Sequence, residues 1–139
     1  MTSTTKSKYL LNAPKYHAGE GRPVLLRMEF APTYTKVDFG YQATAYYRKG
    51  GWVKISKDTF IRIHASGEVL RLLRAEHIPV APTQHFFKTS KDWLYYSLYF
   101  PPMPMKKGFL DLVEVDPGED TDFNYMDIFL DPKKLIELR

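Results

Sequence analysis

Trp93-Leu94-Tyr95-Tyr96-Ser97-Leu98-Tyr99-Phe100 alternates in side-chain character without a break. In an extended chain, Leu94, Tyr96, Leu98 and Phe100 fall on one face and Trp93, Tyr95, Ser97 and Tyr99 on the other. Aromatic residues suit such a pleated, half-buried surface. Pro101-Pro102-Met103-Pro104 ends the strand, because proline holds its predecessor out of the helical region.

The same grammar repeats on both sides, from Trp52 to Leu130. Trp52-Val53-Lys54-Ile55 opens a strand, and Thr59 to His64 sets Phe60 and Arg62 against Ile61 and Ile63. Ser66-Gly67 is expected to close a hairpin onto Glu68–Arg74. Phe109–Val115 and Phe123–Leu130 complete the series, with Leu110 and Leu112 inward and Asp111 and Glu114 outward or at a rim. Upstream, Val24–Phe30 places Leu26, Met28 and Phe30 on one face. Tyr34–Tyr47 holds one or two strands, with a kink expected at Asp38-Phe39-Gly40. Arg48-Lys49-Gly50-Gly51 reads as a turn. Short strands at this spacing predict an all-β fold, an immunoglobulin-like antiparallel β-sandwich of about seven to nine strands.

Residues 1–23 are polar and punctuated by Pro14, Gly19, Gly21 and Pro23, which predicts a flexible or irregular N-terminal arm. Tyr9, Leu10 and Leu11 are the residues able to pin it. Residues 24–131 form the sandwich domain. Residues 132–139 read as a C-terminal tail, either a last helical turn or the start of a linker. The expected core is Leu26, Met28, Phe30, Val53, Ile55, Ile61, Leu72, Leu98, Phe100, Leu110, Leu112 and Ile128.

Composition narrows the function. The 139 residues are 44% hydrophobic and 26% charged, as expected of one globular domain. There is no cysteine, which excludes disulfides, thiolate catalysis and cysteine-based zinc sites. No apolar run reaches the roughly 18 residues of a membrane-spanning helix. The opening residues Met1–Lys8 lack the apolar centre of a signal peptide. The net charge of +4 conceals an asymmetry: residues 1–107 carry 17 basic and 7 acidic residues, residues 108–139 carry 3 and 9. In a sandwich, distant segments become neighbouring strands, so mutual neutralisation is expected.

No catalytic signature is present. The chain lacks a nucleophile elbow and a Walker loop, and Gly19-Glu20-Gly21 lacks the third glycine of a dinucleotide fingerprint. His17, His64, His77 and His85 fit no metal-ligand spacing and read as scattered surface or rim residues. Asp116–Asp122 holds four acids but departs from the EF-hand pattern, so a solvated turn is expected. Asp111 and Glu114 could pair for acid–base chemistry, though exposure on a strand is the plainer reading. No cofactor or metal is expected. Tyr46 and Tyr47, followed by Arg48, Lys49 and Trp52, mix cations with rings. With Trp93 they make the candidate binding surface, suited to a protein partner or a glycan. Nucleic acid is the weaker reading of this mixture.

From Trp52 onward the chain resembles an uncharacterised immunoglobulin-like domain of exported proteins from Gram-negative gut bacteria, sometimes found ahead of a thioredoxin-like domain. The matching pieces are Trp52–Ile55 with Asp58-Thr59-Phe60, Leu72–Pro79, Leu98–Pro104, Leu110–Glu114 and Phe123–Ile128. The resemblance covers a little over half the chain and brings no catalytic residues. It implies export to the periplasm or cell envelope. The expected function is therefore a non-enzymatic accessory or interaction module with a protein partner. The alternatives are a carbohydrate-binding domain and an enzyme with an unrecognised site.

Overall fold

The computed structural model describes residues 7–18, 23–42, 52–53, 56–77, 85–86, 93–114 and 124–138. Among them are twelve strands and no α-helix. In chain order these are β1 (Lys8–Asn12), β2 (Val24–Phe30), β3 (Thr35–Gln42), β4 (Trp52–Val53), β5 (Phe60–Ile63), β6 (Val69–Arg71), β7 (Arg74–Glu76), β8 (His85–Phe86), β9 (Trp93–Phe100), β10 (Gly108–Val113), β11 (Tyr125–Leu130) and β12 (Ile136–Leu138).

The protein is an all-β sandwich. One sheet has six strands in the order β12-β1-β2-β3-β9-β7, the other four in the order β11-β10-β5-β6. Every ladder is antiparallel, and β4 and β8 form a separate two-stranded ladder. The count exceeds the seven to nine strands expected, because both chain ends join the first sheet. Lys8–Asn12, within the expected irregular arm, pairs with β2 on one side and β12 on the other. Within residues 132–139, expected as a tail that is either a last helical turn or the start of a linker, Pro132–Lys134 make a single 3-10 turn capped by Asp131, and Ile136–Leu138 supply β12.

The core lies between the sheets. Leu25, Met28, Phe30, Val37, Phe39, Tyr96, Leu98 and Phe100 face inward from the larger sheet. Ile61, Leu70, Leu110, Leu112, Tyr125, Ile128 and Leu130 face them from the smaller. Tyr125 binds the layers together. Its ring packs 5.4 Å from Phe39 and edge-on to Tyr16, and its hydroxyl donates to the Pro23 carbonyl at 2.6 Å. A buried tyrosine needs such a partner for its polar tip.

Three local expectations are corrected. Leu26 is not core: it is 37% exposed, while Leu25 is buried. The β2–β3 register shifts between Leu25 and Arg27, and this bulge inserts one residue. Simple alternation therefore fails upstream of Met28, since a single extra residue reverses every face beyond it. Asp38-Phe39-Gly40 is no kink; β3 runs straight through it and pairs residue for residue with β9. The arm Glu68–Arg74 is not one strand. Leu72 N–H donates to the carbonyl of Thr59, the residue before β5 of the smaller sheet, and the next residue, Leu73, donates to Tyr99 of the larger. The chain thus changes sheets between these two leucines, and Leu72 is only half-buried. The Ser66-Gly67 turn does form the expected hairpin, with Gly67 at φ +72°. Of the remaining expected core, Ile55 and the side chain of Val53 lie outside the described residues.

The bulge yields a sharp test. Leu25→Ala is expected to cost about 2–5 kcal/mol, the range for a buried leucine. Leu26→Ala should cost about 0.5 kcal/mol or less, as at a surface site. Urea unfolding of both variants reads the difference directly. Equal costs would contradict the bulge.

Candidate functional site

Among the described residues, two places on the sandwich gather chemistry-bearing side chains. The first is the outer face of the smaller sheet. Arg62 and Asp111 are register partners on β5 and β10. His64 follows β5 at the start of the turn and is fixed there by its N–H bond to the Phe109 carbonyl. Asp127 lies on β11, opposite a register shift between Leu110 and Leu112. Two residues there, Met126 and Asp127, face the single residue Asp111. Asp127 takes φ +58°, a left-handed conformation that aspartate tolerates better than most residues.

That geometry converges on one carboxylate. Asp111 is only 3% exposed. Its Oδ1 accepts the Asp127 backbone N–H at 2.8 Å and lies 2.8 Å from His64 Nε2. Its Oδ2 accepts from Arg62 at 3.2 Å. The Asp127 carboxylate stands 3.9 Å from His64 Nε2. Burial pushes the Asp111 carboxyl up. The Asp127 N–H, His64 and Arg62 together outweigh it, so the group is held below its ordinary value.

The expectation of an exposed Asp111 is therefore overturned. The strand does point it outward, but the cluster covers it. Glu114, its expected companion, is elsewhere, accepting from the Ser56 N–H. His64, expected as a scattered rim residue, is a member of the cluster.

A cavity of about 310 Å³ lies nearby, lined by residues that include Ile63, Ala65, Met103, Lys107, Phe109 and Leu130. Ile63 and Ala65 flank His64 in sequence, and the His64 ring packs 6.0 Å from Phe109. None of Arg62, His64, Asp111 and Asp127 lines the cavity. The charged cluster and the apolar hollow are separate features.

The second place is the outer face of the larger sheet. Cross-strand pairing lays Glu29, Lys36, Tyr99 and Arg74 in one row across four strands. A second row runs Asn12, Arg27, Asp38, Ser97, Glu76. Both are knitted together. The Arg74 guanidinium lies 3.8 Å from the centre of the Tyr99 ring, and the Tyr99 hydroxyl donates to Glu76 at 2.7 Å. Asp38 accepts from Arg27 and from Ser97, each at 2.6 Å. Hydrogen bonds from Arg74, then from Tyr99, hold the Glu76 carboxyl below its ordinary value. Beside these rows stands Tyr95, 62% exposed, with Val24 and Leu26 exposed as well. Its ring lies over Gly40: a Cβ there would meet Tyr95 Cε1 at 3.1 Å. Glycine leaves the room that lets the ring lie against the sheet.

Of the expected binding residues, Tyr46 and Tyr47 lie outside the described residues. Trp52 pairs with Phe86 in the two-stranded ladder, and Trp93 begins β9 opposite Gln42. The backbone thus puts the two tryptophans in different ladders; their side chains lie outside the description. The acidic segment 116–122 lies outside it too. A sugar platform needs coplanar rings. Tyr34 and Tyr99, one pair of rings on this face among the described residues, meet at 60°.

Removing the Asp111 carboxylate takes the acceptor from the Asp127 N–H and an ion-pair partner from Arg62. Asp111→Ala is expected to cost about 3 kcal/mol, the low end for breaking a buried pair, because Arg62 and His64 still reach water. Glu76→Ala, in an exposed pair, should cost far less than Asp111→Ala. Chemical denaturation of both variants checks the contrast.

No family model matches the chain, and no curated protein or solved structure matches it.

Proposed function

We propose that this protein is a non-catalytic interaction module. On this reading it is an immunoglobulin-like sandwich at the bacterial cell envelope that recognises a protein partner through the outer face of its larger sheet. The observation that carries the reading is Tyr95, held against Gly40 and exposed, with the exposed Leu26 against the same glycine. Tyrosine and arginine beside an apolar spot are the residue types that dominate protein interfaces. A ring already laid against the sheet loses little freedom on binding.

Two further observations support a face rather than an edge as the contact. β6, β7 and β12, at sheet edges, are three residues each. Such short edges offer little to an added strand. β11, the longer edge, is already bridged by His17, which exchanges both backbone hydrogen bonds with Met126. The envelope placement rests on the family resemblance.

Site-directed photo-crosslinking tests the proposal. p-Benzoylphenylalanine replaces Tyr95, Leu26 or Phe109 in separate variants, and cells are fractionated into envelope and soluble parts. One adduct of the same mass at positions 95 and 26, absent at 109 and found in the envelope fraction, is expected. Identical patterns at all three positions, or no adduct at 95, would overturn it.

A further inference from the structure

We propose that His64, Asp111 and Asp127 form a binding site for a divalent transition-metal ion on the outer face of the smaller sheet. The site is independent of the partner-binding face.

The first argument is donor geometry. One ligand atom from each residue lies within 4.8 Å of the other two. His64 Nε2 stands 2.8 Å from Asp111 Oδ1 and 3.9 Å from Asp127 Oδ1. Zinc bound tetrahedrally at about 2.0–2.1 Å sets its donors about 3.3 Å apart, a value these distances bracket. His64 and Asp127, 38% and 51% exposed, have solvent on one side into which their side chains can rotate to adjust to an ion. Both can turn without disturbing the core.

The second argument is support. Asp111 is fixed by bonds that a metal would not displace: Arg62 on Oδ2 and the Asp127 N–H on Oδ1. Ligating carboxylates are commonly oriented by such outer partners. His64 is fixed at its backbone by Phe109. The bulge on β11 aims Asp127 toward the other two, a use bulges often serve. Two strands and the turn that follows a third therefore deliver three donors to one point, and the exposure of His64 and Asp127 opens that point to water as a further ligand.

The third argument is ligand chemistry. One imidazole nitrogen with two carboxylates suits zinc and its first-row neighbours. Calcium wants six or more oxygens, and this set has too few. Binding requires Nε2 as a lone-pair donor, so the bound ring carries its proton on Nδ1 and the metal takes the place of the Nε2–Asp111 hydrogen bond.

Titration of the whole chain with zinc chloride, by calorimetry, is the test, with cobalt(II) as a spectroscopic probe. One ion per chain is expected, with the strong visible absorption of four-coordinate cobalt. His64→Ala and Asp127→Asn, both at exposed positions, should each weaken binding at least tenfold. Arg62→Met should weaken it about tenfold or more, as loss of an outer partner does. His17→Ala should leave it unchanged. No stoichiometric binding by the native chain, or binding that survives both His64→Ala and Asp127→Asn, would overturn the site. Calcium binding as tight as zinc would also overturn it. Circular dichroism of each variant separates loss of the site from loss of the fold.

Discussion

The eight-residue ladder between β3 and β9 is the constraint on which the rest of the sandwich depends. It joins Thr35–Gln42 to Trp93–Phe100 without a register shift. Because side chains alternate strictly, this single register assigns both faces at once. Inward it stacks Phe39 on Tyr96 at 5.0 Å and 15°, and sets Val37 beside Leu98. Outward it sets Lys36 beside Tyr99, Asp38 beside Ser97 and Gly40 beside Tyr95. A slip of one residue would turn Asp38 and Lys36 into the apolar core and Phe39 out of it. The cost of burying unpaired charge forbids that slip.

The two bulges then do what regular pairing cannot. One, on β2, turns Leu26 outward beside Tyr95 and so makes an apolar spot on a charged face. The other, on β11, brings Asp127 over Asp111. In both places an extra residue redirects a side chain while the core-facing pattern resumes beyond it. The candidate surfaces on both sheets therefore rest on departures from ideal strands, set in otherwise well-packed ladders.

Charge follows the same logic. The basic segment before residue 108 and the acidic segment after it do meet, since Arg62 and His64 come from the first and Asp111 and Asp127 from the second. Neutralisation across the sheet is thus realised in the smaller sheet. In the larger sheet the ion pairs Arg27–Asp38 and Arg74–Glu76 lie within the basic segment itself. The outer faces of the two sheets consequently differ. One concentrates charge on a single buried carboxylate, and the other spreads it along rows interleaved with rings.

The sequence by itself determined the class of fold and most of the strands. Val24–Phe30 and Trp93–Phe100 are strands with the bounds their alternation predicts, and the Ser66-Gly67 turn lies where it was expected. These signals are local, a period of two and a residue able to take positive φ, so one segment suffices to read them. The change of sheet at Leu72-Leu73 and the strands at both chain ends are not local. They depend on which neighbour offers a hydrogen bond, such as Thr59 or Tyr99, far along the chain. The same holds for the cluster. Asp111 and Asp127 each interrupt an apolar run, and that interruption was the one signal present in the sequence. Register alone brings them to His64, and only a bulge, invisible to a period-two pattern, aims Asp127 at Asp111. Tertiary structure decided the site because its donors come from β10, β11 and the turn after β5, and each of these strands is placed by a partner that its own sequence does not name.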